Sequence, residues 1–165
     1  MDVNHLIDHY TIELKTIKKI KFNRILYDKD ILHLLSEINL NKQAQEQLLV
    51  IYLSSNKQIL SYSIVSQGSL NASVIHAREV FKGAFLANAN SIVLAHNHPQ
   101  GVAFPSKEDI EVTDKIKFIG NFLDLPLCDH LIVSGTEHFS FVENNLFSDT
   151  QSIQELYTQL LNKTK

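Results

Sequence analysis

A single cysteine, Cys128, stands in 165 residues, so no disulfide can form within the chain, and this usage suits a reducing compartment. No apolar run approaches the roughly 20 residues that a membrane-spanning helix needs. The opening MDVNHLIDHY carries acids and lacks the apolar core of an export signal, which leaves the cytoplasm as the expected location and no membrane partner. Basic charge is not in excess: 15 Lys and Arg face 18 Asp and Glu, for a net charge of −3. That balance excludes a global field gathering DNA or RNA. One local basic cluster exists, Lys15, Lys18, Lys19, Lys21 and Arg24. Asp2, Asp8, Glu13, Asp28 and Asp30 largely cancel it, so it reads as a solvated strand face. Glycine patterns of helix-turn-helix or helix-hairpin-helix DNA binders are missing, as are repeats, low-complexity segments and interdomain linkers.

What is present is ordinary for a soluble globular chain, with 44% hydrophobic and 20% charged residues. A chain of this size can bury roughly 70% of the surface that it exposes when unfolded. Thr11 to Phe22 alternates apolar residues with lysine and predicts an exposed or edge strand. Asp28 to Leu40 places Ile31, Leu34, Leu35 and Ile38 at helical spacing, with acids in the first turn. Gln47 to Ser54 is apolar and β-branched, a central strand, and Gln58 to Gln67 pairs back on it across the turn Ser55-Asn56-Lys57. Ala77 to Ala89 predicts a helix with Val80, Ala84 and Ala87 on one face and Phe81 with Phe85 beside it. A strand at Ser91 to Ala95 follows. The next helix opens at Pro105-Ser106 with Ile110, Thr113, Ile116, Ile119 and Phe122 as its buried stripe. Strands within Leu125 to Ser134 and over His138 to Val142, and a terminal helix at Gln151 to Leu161, complete the reading. Strands interleaved with helices predict an α/β fold, a mixed sheet flanked by helices in one structural domain, residues 1–40 adding a strand and a helix to a core at 41–165.

The chemistry concentrates in SIVLAHNHPQGVAFPSKED, residues 91–109. His96 and His98 sit two apart, so on an extended backbone both imidazoles leave one face. Asp109 follows eleven residues after His98, beyond a loop containing Gly101 and Pro105, and Ser106 is a natural N-cap for the helix that carries it. Two imidazoles and one carboxylate suit a catalytic zinc, with a fourth position left for water. A zinc deaminase is excluded, because it needs Pro-Cys-x-x-Cys and one cysteine cannot supply it.

HNHPQGVAFPSKED resembles the JAMM signature of the JAB/MPN metalloproteases: His-x-His, seven residues, Ser, two residues, Asp. The flanking HAREVFKGAFLANANSIVLAHNHP and DHLIVSGTEHFSF resemble the RadC branch, and the similarity runs from about Leu48 to Leu146. Gln100 stands where that branch usually has serine, and Ala77 where it usually has proline. The helix-hairpin-helix region that longer RadC proteins carry ahead of this domain finds no counterpart, so the chain resembles the short form. The resemblance implies a JAB/MPN architecture, which is similar to that of cytidine deaminases. It implies a Zn2+ ion held by His96, His98 and Asp109, and cleavage of peptide or isopeptide bonds in a peptide or protein substrate. An idle MPN interaction module and a DNA-repair accessory are the alternatives. Retention of every ligand argues against the first, and the acidic charge argues against nucleic acid as a partner.

In that family an upstream acid serves as general base. Glu46 just precedes the first core strand, where the family places its glutamate, and Glu79 opens the helix before the histidine strand. Glu46 is the expected base, with Glu79 a helix N-terminal charge. Ser106 has two compatible roles, a cap and, by resemblance, support of the oxyanion. His5, His9, His33, His76 and His138 lie outside the spacing, and Asp129-His130 is expected to give hydrogen-bond support rather than ligation.

Overall fold

All seven residues of Gln47–Leu53 are buried, which requires a strand covered on both faces. The computed structural model describes residues 28–68, 75–99 and 101–147. Within them, the strand Gln47–Leu53 (β1) is followed by β2, Ile59–Gln67, paired antiparallel to it. Lys57, at φ 58°, makes the turn between them. The helices are α1, Asp28–Glu37, α2, Ala77–Leu86, and α3, Lys107–Phe122. The remaining strands are β3, Ser91–Asn97, β4, Leu127–Ser134, and β5, Glu137–Ser140. Among the described residues the sheet has five strands in the order β2-β1-β3-β4-β5. It is mixed: β3 pairs antiparallel with β1 and parallel with β4, across the α3 crossover.

Strand alternation splits the core into two layers. Leu48, Val50, Tyr52, Ile92 and Leu94 turn toward α2 and α3, meeting Val80, Phe81, Ala84, Val112 and Ile116. Leu49, Ile51, Leu53, Val93 and Ala95 turn the other way and meet Ile31, Leu34 and Leu35 of α1. The expected α/β class with helices on a mixed sheet is what the structure has. His96 and His98 inherit the α3 side by parity with Ile92 and Leu94, so the first turn of α3 can reach them.

Registers supply the rest of the placement. β1 and β3 pair Leu48 with His96, so the residue two before Leu48 comes opposite the residue two after His96. Glu46 therefore arrives beside His98. Between β3 and β4 the register slips, since Ile92 pairs with Leu127 but Val93 with Asp129. The extra residue inverts the alternation. Leu127 faces α2 and α3, yet Leu131 and Val133 face α1, which brings His130 onto the side of α2 and α3 with His96.

Several expectations need correction. The buried face of α3 is Asp109, Val112, Thr113, Ile116 and Gly120, while Ile110 and Phe122 are exposed. Thr113 and Ile116 are buried and Ile119 packs against the core as expected. The expected stripe omitted Val112, and apolar type alone missed Asp109 and Gly120, because a carboxylate and a glycine face inward here. On α2 the covered stripe is Val80, Phe81 and Ala84, and Phe85 is exposed. The first helix stops at Glu37, because Asn39 adopts a left-handed conformation and Leu40–Lys42 form a separate 3-10 turn. The strand at Thr11 to Phe22, its basic cluster and the helix at Gln151 to Leu161 lie outside the described residues.

Candidate metal centre

His96 and His98 sit at and just past the end of β3, with backbones held at both sides. The His98 amide donates to the Val133 carbonyl at 2.9 Å, and Ser134 Oγ donates to the His98 carbonyl at 2.9 Å. Across the site, Ser106 opens α3 with a capping box. Its hydroxyl donates to Asp109 Oδ2 at 2.6 Å, its amide donates to the same oxygen at 2.7 Å, and the Asp109 amide donates back to Ser106 Oγ at 3.1 Å. One bracket starts the helix and aims the carboxylate. Oδ1 is left toward His96 Nε2, 3.2 Å away.

The two Nε2 atoms lie 3.0 Å apart, and His98 Nε2 is 3.5 Å from Asp109 Oδ2 and 3.8 Å from Glu46 Oε1. One ligand atom from each of Glu46, His96, His98 and Asp109 falls within 4.8 Å of the others. His98 Nδ1 is 3.0 Å from the Val102 carbonyl, which can only accept, so Nδ1 donates and Nε2 turns its lone pair inward. Acceptors converging this closely repel unless a proton or another positive charge sits among them, and a divalent cation would supply it. Imidazole nitrogens with carboxylate oxygens are a donor set that zinc takes readily. Depth varies across the cluster: His96 and Asp109 are buried, whereas His98 and Glu46 are part-exposed and face solvent.

Electrostatics follow the same geometry. Burial works against the charge of Asp109, but hydrogen bonding and charge from His96, with hydrogen bonds from Ser106, outweigh it and hold the carboxyl well below the usual range. His130 is pushed well below the ordinary histidine value, first by burial and then by its histidine neighbours, against a smaller opposing pull from Asp109.

Glu79 is not among the converging groups; its carboxylate pairs with Lys82 at 2.5 Å and Arg78 at 3.5 Å on the outside of α2. Sequence reasoning passed over Asn97, between the two histidines. Its Oδ1 accepts from the Gln47 amide at 2.8 Å, and its Nδ2 donates to the carbonyls of Gln43 at 3.3 Å and Gln45 at 3.1 Å. Asn97 thus grips the backbone on both sides of Glu46. The available signal was a polar residue in an otherwise apolar strand, which must find partners when buried. Thr113, taken as core stripe, also proves polar in role: its hydroxyl contacts His130 Nδ1 and the Asp109 carbonyl, each at 2.6 Å.

Residues 26–146 match the family model described as the RadC-like JAB domain. The chain belongs to the RadC-like JAB domain family. Its curated relatives carry the name UPF0758 protein. The chain is 40% identical over 104 residues to that of Chlorobium chlorochromatii, covering 63% of this chain and 47% of the relative. It is 39% identical over 127 residues to that of Methanosarcina acetivorans, covering 77% and 55%. With that of Staphylococcus haemolyticus it shares 43% over 103 residues, covering 62% and 45%. The chain therefore spans about half the length of the curated relatives it matches. The matched RadC-like region contains every residue of the cluster, and Glu46, His96, His98 and Asp109 fit a JAB metal site. Among the described residues, no helix is long and apolar enough to cross a membrane.

Proposed function

We propose that this RadC-like domain is a zinc-dependent hydrolase of peptide or isopeptide bonds, acting on a peptide or protein substrate. The observation that carries the reading is the convergence of His96, His98, Asp109 and Glu46 on one point, with part of the cluster open to solvent. His96, His98 and Asp109 would hold the metal, which when bound would supply Lewis-acid polarisation of a carbonyl and a water of lowered pKa. Glu46 is the general base: its carboxylate stands at the open side beside His98, where it can take up a proton and pass it to a leaving amine. Asn97 keeps the Glu46 backbone in place during that exchange. Ser106, whose hydroxyl brackets Asp109, supports the developing oxyanion from the helix N-terminus. A cytoplasmic location belongs to the same proposal and rests on the single cysteine.

Elemental analysis of the purified protein tests the reading first. Wild type is expected to carry about one zinc per chain, and His98→Ala to lose tight binding because a protein ligand is gone. Equal metal content in the two, when zinc is supplied to both, overturns the proposal. Peptide and isopeptide substrates should then be turned over by wild type alone, with duplex DNA left intact.

A further inference from the structure

His130 is the unabsorbed group next to the cluster. It is 1% exposed, and its ring stacks on Phe141 at 5.0 Å with planes 14° apart. His130 Nε2 lies 2.8 Å from His96 Nδ1, and its Nδ1 lies 2.6 Å from Thr113 Oγ1. Thr113 in turn reaches the carbonyl oxygen of Asp109 at 2.6 Å. We propose that Thr113 and His130 are positioning residues that fix the tautomer of His96, so that Nε2 is the nitrogen it offers to the metal position.

The direction of each hydrogen bond follows from the far end of the chain. A carbonyl only accepts, so the Thr113 hydroxyl spends its one proton on Asp109. Toward His130 that hydroxyl can then only accept, which makes His130 Nδ1 the donor. A buried imidazole stacked on an aromatic ring, with no carboxylate bonded to it, is neutral, so its Nε2 carries a lone pair. His96 Nδ1 must donate to that lone pair, which leaves Nε2, on the side of Asp109 and His98, as the nitrogen offered to a metal. The relay starts on the main chain of one ligand and ends on the ring of another, so it also ties Asp109 and His96 together. Ligating histidines usually donate to a carboxylate, a carbonyl or water. Here the partner is a second neutral imidazole, which orients the ring and adds no negative charge near the metal.

This inference rests on the zinc reading for its purpose, yet its tautomer pattern can be read without metal. Long-range nitrogen-15 NMR of the imidazoles near neutral pH should show His96 and His130 both protonated at Nδ1, with His130 bare at Nε2, in metal-free and zinc-loaded protein alike, and His96 bare at Nε2 in the zinc-loaded protein. Thr113→Val removes both functions of the hydroxyl at nearly constant volume. It should mix the His130 tautomers and weaken zinc binding by about 10- to 100-fold, the usual cost of losing such support. Thr113→Ser should restore pattern and affinity, which a merely space-filling role would not explain. Circular dichroism confirms that each variant is folded; the wild-type NMR pattern decides the matter even if Thr113→Val is not. A wild-type His130 protonated at Nε2, or a folded Thr113→Val with unchanged tautomers and affinity, overturns the inference. If wild type shows the tautomers but binds no zinc, the hydrolase reading falls and the relay stands.

Discussion

Glu46 and Glu79 carry the same carboxylate into opposite surroundings. Glu46 stands 3.8 Å from a candidate ligand nitrogen, and Glu79 is engaged by Lys82 and Arg78 on the surface. Lys82, by hydrogen bond and charge, holds Glu79 below its ordinary value, which suits a charge meant to stay charged. Glu46→Gln is expected to retain zinc while losing roughly 10²–10⁴-fold in turnover, the typical worth of general-base catalysis. Glu79→Gln should change turnover little; parallel kinetics with metal analysis separate the two. At this scale the sequence was readable wherever one local rule sufficed. Strand alternation put His96 and His98 on one face, and a capping pattern placed Ser106 with Asp109. Thr113 and His130 were not readable as a pair, because only the folded sheet brings residues 17 apart in sequence to a 2.6 Å contact.

Among the elements, α3 shows why composition misplaces a helix face. Its inward stripe begins with the candidate ligand Asp109 and ends with Gly120, and neither is apolar in the ordinary sense. Gly120 is required by backbone: a Cβ there would lie 2.6 Å from the Leu125 carbonyl oxygen, where the chain folds back and the Leu125 amide bonds Gly120 at 2.8 Å. Gly120→Ala should therefore destabilise the protein by about 1–3 kcal/mol, as overpacking does, although alanine is the better helix former. Denaturant unfolding measures it, and a stabilised variant would contradict the packing argument. The strands were legible because their burial is continuous: β1 and β3 are buried throughout, around the apolar runs Leu48 to Leu53 and Ile92 to Ala95. The slip between β3 and β4 was not. Nothing in LCDHLIVS marks the residue at which alternation inverts, yet that inversion carries His130 to the side of α2 and α3.

For the whole molecule, β3 at the centre of the sheet gathers the site from β1, β4 and α3, so acid should act on fold and site together. Asp109 and His130 both have folded values below their ordinary ones. In each case the unfolded chain binds the proton more readily, so stability falls as pH falls. The His130 share begins to go below the ordinary histidine value of 6.5, and the Asp109 share below its ordinary 3.8. Metal-free protein should show a falling denaturation midpoint from pH 7.5 to 5; a flat profile would refute this. The capping box carries a kinetic consequence of another kind. Because the hydrogen bonds that begin α3 are the ones that aim Asp109, on the zinc reading proposed above its departure from the metal is coupled to fraying of the first turn of that helix. The residence time of the ion then becomes a local unfolding time. Amide exchange at Asp109, whose hydrogen is held by Ser106, should slow on zinc loading by the factor that metal adds to the stability of that turn, and Ser106→Ala should speed exchange and zinc release together.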